Sequence, residues 1–144
     1  MRVEADRGQR RSTGRRDVRE ADMTTTNVVN WFEIGSDRPE EAERFYGELF
    51  GWTFEEQGAP GRSYRVTEGG TGDGIGGAIR ATDGTPNYAI FYVQVADVAD
   101  TCRRAEAAGG RVLVPLTTTP SGLTFANLID PTGNHIGVFT PPAS

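Results

Sequence analysis

Three scarcities narrow the reading of this 144-residue chain. Cysteine occurs once, as Cys102, so no internal disulfide can form and a cytoplasmic setting is expected. Histidine also occurs once, as His135. The one imidazole therefore lies far along the chain from that thiol, and a Cys–His nucleophile is disfavoured. Cys102 falls within a helical pattern, where a lone cysteine is ordinarily a small core residue. Long apolar runs are missing: none approaches the ~20 residues of a membrane-spanning helix, and none resembles the apolar centre of a secretory signal. What is present suits a folded core. Hydrophobic residues make up 36% and aromatic residues 9% of the chain, and its length fits one domain.

Charge is unevenly spread. Residues 1–22, "MRVEADRGQRRSTGRRDVREAD", hold seven of the fifteen arginines and five acids, a net charge of +2. So polar a segment cannot bury enough surface to offset the entropy of ordering it. It reads as a disordered Arg-rich tail, or as an extension upstream of a start at Met23. It has no aromatic residue for base stacking, so a nucleic-acid arm is not expected. Residues 23–144 carry eight arginines against fifteen acids, a net charge of −7. Such a domain repels phosphate backbones and anionic membranes, and neither is an expected partner.

The rest of the text repeats itself. "VVNWFEIGSDRPEEAERFYGELFGWTFEE" from Val28 and "NYAIFYVQVADVADTCRRAEAAGGRVLVP" from Asn87 each run strand, acid, helix, glycine, strand. In the first helix, Ser36 or Asp37 is positioned to cap, Pro39 stands in the opening turn and Gly51 ends it. Ala42, Phe45, Tyr46 and Leu49 share one face. In the second helix Asp97 is the cap candidate, Val98, Cys102 and Ala105 share a face, and Gly109-Gly110 is the stop. More strand follows each copy. The pattern predicts βαβββ twice, with strands near 28–35, 51–57, 62–68, 74–80, 87–95, 110–114, 122–129 and 134–139. "EGGTGDGIGG" lacks the Lys-Ser/Thr of a phosphate loop and precedes no helix, so it reads as a turn between strands.

"FYGELFGW" (45–52), "AEAAGGRVLVP" (105–115) and "DPTGN" (130–134), at this spacing, resemble the glyoxalase/bleomycin-resistance/dioxygenase family, the vicinal oxygen chelate superfamily. The resemblance spans about residues 27–141. It implies an α+β fold, two paired βαβββ modules (about 27–82 and 85–141) forming a curved mixed sheet that acts as a cup. It also implies homodimerisation. Enzymes of the family hold a divalent metal in the cup, which polarises substrate oxygens. Matched to this chain, the ligand positions fall on Trp31, on Ile90 (Tyr92 after a two-residue slip) and on Gly137. None of Trp, Ile or Gly offers the imidazole, thiolate or carboxylate that a transition ion wants. No resident metal or other cofactor is therefore expected.

Alternation along the strands places Trp31, Glu33, Ile90, Tyr92, His135, Gly137 and Phe139 on the cup face, with Tyr64 and Phe125 as further lining candidates. Aromatic walls with a few polar groups suit a small organic ligand. Trp31 reads as a stacking wall or as core; Trp52 reads as closing the core against the first helix. Glu33 and His135 are the lining groups suited to proton transfer near neutral pH. Each has a bland alternative: Glu33 pairs with Arg65 or Arg80, and His135 sits exposed beside the "DPTGN" turn. The leading expectation is a metal-independent binder of a small aromatic or apolar molecule. The alternatives are a lyase, isomerase or dioxygenase using Glu33 and His135 or an unaligned metal site, and a non-catalytic interaction module.

Overall fold

In the computed structural model, residues 25–143 are described; the expected tail over 1–22 lies outside them. The elements are β1 (Val28–Ser36), α1 (Pro39–Phe50), β2 (Glu55–Glu56), β3 (Tyr64–Thr67), β4 (Gly77–Ala81), β5 (Tyr88–Gln94), α2 (Val98–Ala107), β6 (Arg111–Thr118), β7 (Thr124–Ile129) and β8 (His135–Thr140). The expected double βαβββ is present. All eight strands form one mixed sheet in the order β2-β3-β4-β1-β5-β8-β7-β6. Each module contributes four neighbouring strands, and the modules meet where β1 and β5 pair antiparallel. β1 runs parallel to β4, and β5 parallel to β8.

Local chemistry sets the boundaries. Neither expected side chain caps α1: its N-cap is Arg38, with no side-chain cap bond. The Ser36 hydroxyl instead accepts the Arg38 N–H at 3.0 Å, which fixes the turn just before the helix. Gly51 closes α1 at φ 75°, donating its N–H to the Gly47 carbonyl at 2.8 Å. A left-handed residue costs glycine nothing. α2 is capped as expected, Asp97 Oδ1 accepting the Asp100 N–H at 3.0 Å. β6 runs on to Thr118 through Pro115, beyond the expected end at 114. It lies at the sheet edge, where a proline leaves no ladder bond unmade. β2 shrinks to two residues of the expected 51–57.

Both helices cover one face. Under α2, Val95, Val98, Ala126, Leu128 and Val138 form the core, with Cys102, Ala105 and Ile136 packed against it. Cys102 is thus the small core residue its position suggested. α1 departs from expectation. No residue of it is buried, and Phe45 and Leu49, from the stripe expected to face inward, are 57% and 58% exposed. Tyr46 does turn inward and stacks on Trp52, 5.9 Å between ring centroids. Trp52 in turn meets Phe32 of β1 at 5.5 Å, closing this half of the core. Arg65 ties the same face down, 2.7 Å from Glu43 of α1. The opposite face carries no helix and is the cup.

Candidate functional site

Cross-strand partners share a face, so the register places the cup residues directly. Trp31 pairs with Tyr92, and Tyr92 with Gly137. The three positions that the family resemblance assigned to ligands thus stand in one row across β1, β5 and β8. On the fifth strand the row passes through Tyr92, not Ile90, which pairs with Glu33. Asn127 continues the row on β7, and Phe125 pairs with Phe139 at the far end of the same face. On the other side, Tyr64 and Arg80 pair with each other and belong to the same face.

Two glycines make room for tyrosine rings. A Cβ on Gly137 would overlap the Tyr92 ring, and a Cβ on Gly35 would overlap the Tyr88 ring. Both glycines sit inside strands, where a missing side chain often marks a close approach. Gly137 is therefore a slot for the ring of Tyr92. The Tyr92 ring also meets Phe139 edge-on at 6.4 Å.

Glu33 lies at the centre, only 6% exposed. Its Oε1 accepts the Tyr64 hydroxyl at 3.1 Å and its Oε2 the Tyr88 hydroxyl at 2.5 Å. Behind each tyrosine stands a group that can only donate. Trp31 Nε1–H donates to the Tyr64 oxygen at 3.1 Å, and Arg80 Nη1 donates to the Tyr88 oxygen at 3.2 Å. A phenol that accepts from such a group must turn its proton away from it, here toward Glu33. The result is two relays ending on one carboxylate. Among the described residues no cation forms an ion pair with Glu33. Arg65, one expected partner, lies on the helix face; Arg80, the other, reaches Glu33 only through Tyr88.

The electrostatics follow from this burial. Desolvation, and then the Glu33 charge, push the hydroxyls of Tyr64, Tyr88 and Tyr92 well above the usual phenol value. All three stay protonated at neutral pH. Burial lowers His135, which favours its neutral imidazole. Its ring lies 5.1 Å from that of Tyr88, and its Nε2 is buried without a hydrogen-bond partner. Glu33 and His135, paired in expectation as acid–base groups, thus touch the same tyrosine. Asn127, 7% exposed, donates its Nδ2–H to the Tyr92 oxygen at 3.0 Å.

The "DPTGN" turn is structural. Asp130 Oδ1 accepts the backbone N–H groups of Thr132 and Asn134, both at 2.9 Å. These bonds, with the amide of Asn134, hold its carboxyl down at about 2. The turn delivers His135 to the first position of β8. Two surface depressions, of about 320 and 410 Å³, flank this turn and the start of α1, both outside the cup.

The side chains present do not fit a divalent ion in the family's place. The row offers an indole N–H, a phenol held neutral and a glycine. Among the described residues no group of three or more His, Cys, Asp or Glu side chains converges to hold one. Of the residues expected on the cup face, Trp31, Glu33, Tyr64, Ile90, Tyr92, His135, Gly137, Phe125 and Phe139 share it by register; Tyr88 and Asn127 also lie there and were not expected, and Arg80 was expected only as a partner for Glu33. Tyr88 shares the alternation of Ile90 and Tyr92, so period two alone was enough to include it.

The comparisons with known proteins agree with this architecture. Residues 28–138 match the family model of the Glyoxalase/Bleomycin resistance protein/Dioxygenase superfamily. Over 121 residues the chain is 35% identical to the putative glyoxylase CFP32 of Mycobacterium tuberculosis and to that of Mycobacterium bovis. That stretch is 83% of this chain and 46% of those relatives, so the chain spans about half their length. Among solved structures, methylmalonyl-CoA epimerase from Mycobacterium tuberculosis superposes with a TM-score of 0.59 at 16% identity, covering 83% of this chain and 93% of that one. A Streptomyces coelicolor methylmalonyl-CoA epimerase variant in complex with 2-nitronate-propionyl-CoA gives 0.58 at 16% identity, covering 83% and 100%. At these identities the structural likeness speaks for the fold. Through its own register, its duplicated modules and the family match over most of its length, the chain belongs to the Glyoxalase/Bleomycin resistance protein/Dioxygenase superfamily.

Proposed function

We propose that this chain is a ligand-binding member of the superfamily that works without a resident metal, taking a small planar aromatic or apolar molecule against the cup face. The observation that carries this reading is the setting of Glu33. A carboxylate 6% exposed, with no ion pair among the described residues and ringed by Trp31, Tyr64, Tyr88 and Tyr92, is costly to keep unless it anchors something. Flat rings with one polar anchor are the usual lining of a small-molecule site. The indole of Trp31 reports on its occupation. Chelator-treated, tag-free protein titrated with a panel of planar aromatics should show saturable quenching that is lost in Trp31→Phe. A panel that leaves the emission unchanged would remove the reading.

A second reading, an acid–base isomerase or lyase, draws on one observation: the neutral, unpartnered Nε2 of His135 beside the Glu33 relay. Deuterium wash-in from solvent at the α-carbon of small carbonyl compounds, lost in both Glu33→Gln and His135→Ala, would favour it over simple binding. We also assign the protein to a homodimer in the cytoplasm. Phe45, Leu49 and Phe50, each more than half exposed on α1, supply apolar surface for a second copy, and the lone Cys102 suits a reducing compartment. No described helix is long and apolar enough to cross a membrane.

A further inference from the structure

We infer that the ligand of this cup is a neutral planar ring presenting a hydrogen-bond donor beside an acceptor on one edge, the pattern of a cyclic amide. The inference rests on the binding reading above and narrows it to a chemical class.

It follows from counting donors and acceptors whose directions are fixed. An ionised carboxylate has about four lone-pair sites. Glu33 uses two, for Tyr64 and Tyr88. Both phenol protons are committed there, because Trp31 and Arg80 can only donate to the phenol oxygens. Glu33 therefore retains acceptor capacity that no described side chain uses. Tyr92 is the complement. Its oxygen accepts from Asn127 Nδ2, so its proton points away from Asn127. Among the described residues no group accepts that proton, although Tyr92 is only 5% exposed. A buried donor left unpaired is costly. One spare acceptor and one spare donor thus share the cup, and the field of Glu33 reaches Tyr92.

Charge excludes the neighbouring classes. A cationic ligand would meet Glu33 but also the guanidinium of Arg80 on the far side of Tyr88, and it has no use for the Tyr92 proton. An anionic ligand would use Tyr92 but face the Glu33 carboxylate. A neutral edge bearing N–H beside C=O satisfies both. Flatness is favoured because Trp31, Tyr88 and Phe139 present their rings on this one face, and aromatic rings prefer planar partners.

Equilibrium dialysis with four probes tests this: 2-quinolone (N–H beside C=O), its N-methyl derivative (acceptor only), naphthalene (neither) and N-methylquinolinium (a cation of the same shape). The expected result is that 2-quinolone binds about tenfold or more tightly than each of the others, the cost of leaving one buried partner unpaired. In Tyr92→Phe the ratio of the 2-quinolone and naphthalene constants should fall toward one. Equal binding of the first three probes would overturn the donor–acceptor inference and leave the cup reading standing. Preference for the quinolinium would overturn it in favour of a cation site. Absence of binding by all four, together with silence of the wider aromatic panel, would remove both.

Discussion

Replacing Gly137 with alanine puts a methyl group where the Tyr92 ring now lies. Gly137 is buried in the middle of β8, with Tyr92 level with it on β5 and Asn127 level with it on β7. β8 is paired to a strand on each side and the atoms nearest the methyl all belong to the Tyr92 side chain, so the ring is the group expected to turn. Overpacking a well-filled site costs about 1–3 kcal/mol. Turning the ring also removes the buried bond from Asn127, worth about 1 kcal/mol. The sum is about 2–4 kcal/mol, roughly 10 °C in Tm for a domain of this size. Urea and thermal denaturation followed by circular dichroism measure it. The same substitution made in a Tyr92→Ala background should cost less than about 1 kcal/mol, because the methyl then enters space the ring has left. Gly74→Ala is the control: nothing lies within 4 Å of its added Cβ, so its effect should stay within about 0.5 kcal/mol. A Gly137→Ala protein as stable as the parent would refute the placement of the ring, and with it the claim that a tyrosine fills the family's ligand position.

Other outcomes are specific to single groups. Burial lowers the His135 pKa, so the folded state resists protonation while the unfolded state takes a proton near 6.5. Stability should therefore be full above that value and fall as pH drops below it, and urea midpoints between pH 7.5 and 5 should lose this slope in His135→Gln. Arg65→Met removes a guanidinium whose side chain is only 19% exposed and lies 2.7 Å from Glu43; a loss of about 1–2 kcal/mol is expected, since Glu43 is left without its partner. No loss in urea denaturation would show that α1 does not depend on that tie. Sedimentation equilibrium should give twice the chain mass, and Leu49→Lys, on the exposed stripe of α1, should shift it toward one chain. A parent protein that sediments as a monomer at every concentration tested would end the homodimer assignment.

Most of the fold was written in local signals. Alternating apolar strands, Asp97 as a cap, Gly51 as a stop and the twice-told order of elements place the helices and strands with no tertiary information. α1 shows the limit. Its stripe of Phe45, Tyr46 and Leu49 is amphipathic by spacing, yet only Tyr46 finds cover, because Trp52 fills the space beneath the helix and Arg65 holds the helix by its polar edge. Spacing records which residues share a face, not how much surface exists to receive them. The site was legible in the same uneven way. Period two put Trp31, Glu33, Tyr92 and His135 on one face. It gave no sign that Glu33 would bind two tyrosines rather than an arginine, since that depends on which strands become neighbours. Nor did it fix the fifth-strand position as Tyr92 over Ile90; a two-residue slip leaves the alternation intact, and only the pairing of β5 with β8 decides it. The glycines carried a clue of their own. Gly35 and Gly137 each interrupt a strand, and each turned out to underlie a tyrosine ring.

On the reading proposed above, this cup recognises its ligand without an ion, because Trp31, Tyr92 and Gly137 stand where metal ligands would. Metal analysis of tag-free protein by inductively coupled plasma mass spectrometry, after dialysis against buffer containing zinc, nickel, iron and manganese, tests it most directly. Far less than one equivalent of any of these per chain is expected. Close to one equivalent, retained through gel filtration and lost in Glu33→Gln or His135→Ala, would contradict it.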